Sequence, residues 1–336
     1  MRKRFLSTIA LAGAAALTIA GCSSDGDGDT PDDAATGSTG GSETTETITV
    51  GFAQTGAESG WRSANTESMQ NAFSEENGFE LVFNAADNDP AAQISAVRNF
   101  INQGVDAIVI APVVEDGWDD VLKEAQDAGI PVILEDRTVT APDDLYAAWV
   151  GLDFKAEGVK AGEWAVQEFG DEPTNMVVLE GTTGSAPAND RAEGFSEAIA
   201  GSAIETIDSQ SGDFTRDGGK SVMEGYIANY GIEGIDLVYA HNDDMGLGAI
   251  EAIEAAGGTP GEDIKIVTID AVKDGMQALV DGKINFIVEC NPMLGEKAAE
   301  LVKAVLNGDD VEKVQFVEDQ SFTQEQAAEV IDSRPY

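Results

Sequence analysis

The chain has 336 residues, with 62 acidic against 19 basic side chains and a formal net charge of −43. A field of that sign repels phosphate backbones, which excludes nucleic acid as a partner. Cys22 and Cys290 are the only cysteines, too few for a disulfide framework or a cysteine-built metal site.

The chain opens with Met1-Arg-Lys-Arg4 and an apolar, alanine-rich run from Phe5 to Ala20 that ends in Ile19-Ala-Gly-Cys22. A basic start, a short apolar core and small residues make residues 1–21 an export signal. The run is too short for a good membrane span. A cysteine directly after Ala-Gly resembles a bacterial lipobox, with Ile19 where leucine is commoner. On this reading the signal is removed, and Cys22 carries lipid that holds the protein at the outer face of the cytoplasmic membrane. Residues 22–46 are rich in Gly, Asp, Ser and Thr. They cannot bury enough surface to offset ordering, so they are expected to form a disordered tether.

From there strands and helices alternate. Val50–Ala53 is a strand, then a Gly- and Ser-containing loop leads into a helix from about Trp61 to Glu76. Strands at Leu81–Phe83, Ala107–Ala111, Val132–Glu135 and Tyr146–Val150 are interleaved with helices near Ala91–Gln103 and Trp118–Ala128. Helices at Ala156–Phe169, Ala192–Ala200 and Gly218–Asn229 then alternate with strands at Met176–Leu179, Glu205–Asp208 and Leu237–Ala240. The series ends with a helix at Gly246–Ala256, a strand at Ile264–Ile269, a helix at Val272–Val280, a strand at Phe286–Glu289 and a helix at Leu294–Leu306. Short apolar strands without alternation, separated by amphipathic helices, imply an α/β fold with parallel sheets covered on both faces.

Two stretches repeat one plan. Gly104-Val-Asp-Ala-Ile-Val-Ile-Ala111 leads to a helix ending Ala128-Gly129 and then to Pro131-Val-Ile-Leu-Glu-Asp136. Gly234-Ile-Asp-Leu-Val-Tyr-Ala240 leads to a helix ending Ala256-Gly257 and then to Ile264-Lys-Ile-Val-Thr-Ile-Asp270. This predicts two similar doubly wound lobes, with Asp136 and Asp270 in equivalent places just past a strand. Ligands of open parallel sheets sit outside those strand ends. Capping of the following helix is the alternative role, stronger for Asp270 than for Asp136, which has no helix directly after it.

Other chemistry collects at strand ends: Trp61 and Arg62 after the first strand, Arg191 after the loop that follows Leu179, Asn242 after Ala240-His241, and Glu289. Planar polar groups bond pairs of vicinal hydroxyls, and an aromatic face packs on ring C–H groups, so this inventory suits a sugar. Surface salt bridging is the plainer role for the arginines.

Six segments in order carry a family resemblance: Gly51-Phe-Ala-Gln54, Glu58-Ser-Gly-Trp-Arg62, Asp136-Arg137, Asn189-Asp-Arg-Ala-Glu-Gly-Phe195, Ser209-Gln-Ser-Gly-Asp-Phe-Thr215 and Tyr239-Ala-His-Asn-Asp-Asp-Met-Gly-Leu-Gly-Ala249. From about Thr47 to the C-terminal region, the chain resembles the periplasmic binding proteins of the ribose and galactose class, nearest the galactofuranose-binding branch. The resemblance implies two lobes joined by a three-segment hinge, closing on a monosaccharide that an ABC permease with its cytoplasmic ATPase then takes up. It implies an N-terminal lobe of residues 47–152 plus about 291–317 and a C-terminal lobe of 153–290 plus about 318–336. It also implies a monomer with no cofactor and no metal. Asp136 and Arg137 would form one lobe's clamp. Arg191, Asn242 and Asp270 would form the other's, and Trp61 and Phe214 would be the aromatics against the sugar. Arg62 departs from the ribose binders, which have a second aromatic there. Cys290 stands about where ribose binders carry a glutamine, and Glu289 beside it is the candidate replacement.

Enzyme readings have less support. The chain has one histidine, His241, and no Gly-x-Ser-x-Gly, Gly-x-x-x-x-Gly-Lys-Ser/Thr or His-Glu-x-x-His motif. A glycosidase using Asp136 and Asp270 is the remote alternative. A sugar sensor coupled to a membrane signalling system would use the same lobes with another partner.

Overall fold

The computed structural model describes residues 47–336. The expected signal, tether and lipidated Cys22 lie outside the described residues.

The first half of the fold runs β1 (Ile48–Gln54), α1 (Gly60–Ala72), β2 (Phe79–Ala85), α2 (Pro90–Gln103), β3 (Ala107–Ile110), α3 (Asp119–Asp127), β4 (Val132–Asp136) and β5 (Ala148–Gly151). The second half runs α4 (Phe154–Phe169), β6 (Thr174–Glu180), α5 (Ala186–Ala198), β7 (Ile204–Ser211), α6 (Arg216–Tyr230), β8 (Leu237–Ala240), α7 (Asp243–Ala255), β9 (Lys265–Asp270), α8 (Lys273–Val280) and β10 (Phe286–Glu289). Then α9 (Gly295–Asn307), β11 (Val314–Phe316), β12 (Ser321–Phe322) and α10 (Gln324–Val330) complete both halves.

Local chemistry sets these boundaries. Ser59 caps α1 by accepting from the Arg62 amide at 3.1 Å, and Asp89 caps α2 ahead of Pro90, whose missing N–H costs nothing at a first turn. Two helices begin about a turn or more before the periodicity suggests. Pro187 opens α5, and Asn242 caps α7 by accepting from the Met245 amide at 3.0 Å. Strands β11 and β12 are too short to announce themselves by period.

Two six-stranded sheets result, in the orders β11-β5-β4-β3-β1-β2 and β12-β10-β9-β8-β6-β7. The first is parallel throughout. The second is parallel except for β12 against β10. The two sheets share one winding, so β4 and β9 hold equivalent positions, with Asp136 the last residue of one and Asp270 the last of the other. The chain passes between the sheets three times: after β5, after β10 and between β11 and β12.

Each sheet separates two apolar cores, because successive side chains on a strand point to opposite faces. Val50 and Phe52 of β1 join Met69, Ile133 and Val302 on one face, while Ala53 joins Ile108, Leu122 and Leu134 on the other. In the second lobe Val177 and Leu179 join one core and Met176 and Val178 the other. This explains why the strands read as unbroken apolar runs. The fold is the two-lobed, doubly wound α/β architecture that the internal repeat suggests.

Candidate functional site

A small cavity lies where the strand ends of the two sheets face each other. Its lining includes Glu58, Trp61, Arg62, Asp136 and Arg137 of the first lobe, and Arg191, Phe214, Asn242, Asp270 and Cys290 of the second half of the chain. Every candidate residue on this wall is at least nine-tenths buried.

In the first lobe, Arg62 stands on the first turn of α1. One guanidinium nitrogen pairs with Asp136, another donates to the Asn65 side chain at 3.1 Å, and Nε faces Glu58 at 3.3 Å. Arg137 donates to the same Glu58 oxygen at 3.1 Å, and its Nε has no hydrogen-bond partner among the described residues. Burial would raise the Glu58 carboxyl, but Arg62 and Arg137 outweigh it and hold it below the usual range. Burial, then Arg62, lowers Arg137, although Glu58 and Asp136 oppose the shift.

In the second lobe, Arg191 of α5 donates from Nε to Glu157 at 2.7 Å and from Nη1 to the His241 carbonyl at 2.7 Å. Its Nη2 is 3.8 Å from Asp270. Burial pushes the Asp270 carboxyl well up, and Arg191 only partly opposes this. His241 is a structural group: burial, then Arg191, pushes it down to about 3, so it stays neutral.

Backbone strain concentrates at the same place. Asp136 has φ 60° and Phe214 φ 59°, while Asp270 has φ 124°, a region that non-glycine residues leave unless their surroundings hold them. Held so, the two strand-end carboxylates and the ring turn toward the cavity they line.

The lobes touch across the cleft. The Gly60 amide donates to Asp244 at 2.7 Å, the Glu115 amide to the Gly184 carbonyl at 2.9 Å, and the Asn189 side chain to Glu115 at 2.5 Å. The Arg137 guanidinium packs on the Phe214 ring, 5.3 Å from its centre.

The periplasmic binding protein domain matches residues 50–310. The chain belongs to the periplasmic binding protein family.

Among relatives of this binding protein is the galactofuranose-binding protein YtfQ of Escherichia coli (strain K12), 45% identical over 85% of this chain and 91% of the relative. The fructose import binding protein FruE of Bifidobacterium longum (strain NCC 2705) is 36% identical, over 98% of each chain. A crystal structure from Mycobacterium smegmatis in complex with β-D-fucofuranose superimposes with a TM-score of 0.83 at 52% identity, covering 86% of this chain and 95% of that one. The protein is thus a solute-binding protein and not an enzyme. The Asp136–Asp270 glycosidase alternative falls.

Eight of the nine candidate side chains, Trp61, Arg62, Asp136, Arg137, Arg191, Phe214, Asn242 and Asp270, line this same cavity of the binding protein. Glu289 does not. Its carboxylate accepts from Arg334 at 2.8 Å and from the Tyr336 hydroxyl at 2.7 Å, and Cys290 lines the wall instead. The pleat decides this: adjacent residues leaving β10 face opposite ways, and the polar tail draws Glu289 outward. Asn242 is in place, but much of its amide is committed. Its oxygen caps α7, and its nitrogen donates to the Phe214 carbonyl at 3.0 Å. Asp270 does not cap a helix, since α8 begins at Lys273 after Val272.

The sequence reading missed Glu58 and Glu157 as partners of the arginines. Glu58, four residues before Arg62, carried a weak signal in that spacing. Glu157 is 34 residues from Arg191 and carried none.

Proposed function

We propose that this binding protein captures a furanose-form monosaccharide, galactofuranose or a related galactose, arabinose or ribose-type sugar, and hands it to the permease of an ABC importer. The observation that carries this is the cavity wall: three guanidiniums and two strand-end carboxylates from two lobes, with Trp61 and Phe214 beside them. Such groups bond several hydroxyls at fixed angles while the rings cover apolar sugar faces. One of the relatives is a galactofuranose-binding protein, and the structure from Mycobacterium smegmatis holds β-D-fucofuranose, which supports the ring form.

Trp61, Arg62, Asp136, Arg137, Arg191, Phe214, Asn242 and Asp270 are the contacts, with Cys290 as a neutral wall. The moving units are residues 47–152 with 291–317, and 153–290 with 318–336. The protein acts as a monomer held at the outer face of the membrane by lipid on Cys22, and residues 22–46 give it reach. Replacing Cys22 by Ala is expected to release it from that membrane.

The direct test is calorimetry of residues 47–336 against a panel of monosaccharides that includes galactofuranose, with scattering to follow closure. Tight binding of a furanose and a smaller radius of gyration are expected. A panel in which no sugar binds or raises the melting temperature overturns the reading.

A further inference from the structure

Arg191 has five N–H groups and needs acceptors in a dry site. Nε is taken by Glu157 at 2.7 Å and Nη1 by the His241 carbonyl at 2.7 Å. That leaves the Nη2 side, toward Asp270, for the cavity. Glu157 is fully buried and does not line the cavity.

The fold builds this contact deliberately. Helices α4 and α5 meet at glycines: a Cβ on Gly158 would lie 2.3 Å from the Arg191 carbonyl oxygen, and one on Gly194 would lie 2.1 Å from that of Lys155. Any larger residue would push the helices apart and draw Glu157 off Arg191. Glu157 on α4, Arg191 on α5 and the residue after β8 all belong to the second lobe, so the arrangement does not depend on closure. The Cys290 thiol beside the pair adds no anion of its own, because burial, then Glu157, pushes it up.

We propose that Glu157 is a positioning residue for ligand capture, which acts through Arg191 by fixing the guanidinium in its binding orientation before the sugar arrives. The proposal rests on the sugar-binding reading. Ordering a long side chain in advance removes part of the entropy cost of binding. Without the Glu157 carboxylate, the guanidinium loses its strongest restraint and keeps a buried Nε donor that lacks its charged partner.

The test is a double-mutant cycle with galactofuranose as the probe, or the tightest-binding sugar of the panel if the parent prefers another. Glu157→Gln keeps the volume and removes the charge, and it is expected to weaken binding about tenfold or more. In an Arg191→Ala background the same change is expected to add little, because the residue it positions is gone. In nitrogen-resolved NMR, the slowly exchanging Arg191 Nε–H signal is expected in the parent and lost in Glu157→Gln. If Glu157→Gln does not fold, Glu157→Asp keeps the charge but shortens its reach, and it is expected to fold and bind more weakly. Parent-like affinity in a folded Glu157 variant, or losses that simply add to that of Arg191→Ala, overturns the proposal alone. Failure of both variants to fold makes Glu157 a folding residue and also overturns it. A parent that binds no sugar overturns the functional reading from which it follows.

Discussion

The guanidinium carbon of Arg137 lies 5.3 Å from the centre of the Phe214 ring, and the two residues come from opposite lobes. Arg137 ends the β4 turn of the first lobe, and Phe214 sits in the loop before α6 of the second. Their contact bridges the lobes across the cavity, so parting the lobes would break it. Arg191 reaches the same ring, 6.0 Å from its centre.

Phe214→Ala is therefore expected to weaken sugar binding twice over, by removing a stacking face and by removing a closing contact. A desolvated cation–π contact contributes about 2 kcal/mol, so a loss of tenfold or more in Kd is expected at about 1.4 kcal/mol per decade. Calorimetry gives the affinity. Scattering should show a smaller compaction with sugar than the parent shows.

Asp136 pairs with Arg62 and lies 3.6 Å from the Arg137 Nε. Asp136→Asn keeps the shape but removes the charge that holds both arginines. A hydrogen bond to a charged group contributes about 1.5–3 kcal/mol, so affinity is expected to fall by roughly one to two decades. Arg191→Ala is expected to cost at least as much. If both variants bind sugar like the parent, this cavity is not the binding site.

Other contacts between the lobes lie away from the cavity lining. Asn189 donates to Glu115 at 2.5 Å across the lobes, and neither residue lines the cavity. Asn189→Ala removes one hydrogen bond of the closed form, about 0.5–1.5 kcal/mol. Affinity is expected to drop roughly two- to tenfold, mostly through faster release. Stopped-flow dissociation checks this, and an unchanged release rate would deny these residues a part in closure.

Stability should depend on pH with a definite sign. Burial, then Asp136, pushes the Glu135 carboxyl up, and one of its oxygens has no partner among the described residues. Burial, then Glu157, pushes Asp319 up to about 8. The folded protein thus keeps protons that the unfolded chain releases above about pH 4. The stability contributed by these groups is complete below that pH and declines as pH rises through about 8. Glu58 has the opposite sign: its contribution is lost as pH falls through its lowered value. The melting temperature of the ligand-free protein is expected to be higher near pH 6 than near pH 9. Glu135→Gln and Asp319→Asn should each flatten that slope.

Much of the architecture was legible in the chain because burial on both sheet faces writes itself as unbroken apolar runs, such as Ala107–Ile110 and Leu237–Ala240. The repeated plan around them put Asp136 and Asp270 at equivalent strand ends without knowledge of a single contact. What neighbours in space decide was not legible. Nothing local says that Glu289 turns to Arg334 and Tyr336, 45 and 47 residues away, while Cys290 faces the cavity; a one-residue step along the pleat reverses the side, and only the surrounding packing chooses it. Nor does sequence show that the arginines are buried ion-pair partners rather than solvated surface charges. That follows from the helices and strand ends that bring Glu58 and Glu157 to them. Periodicity records which face of an element is dry, whereas the pairing of polar groups inside depends on distances between segments far apart in the chain.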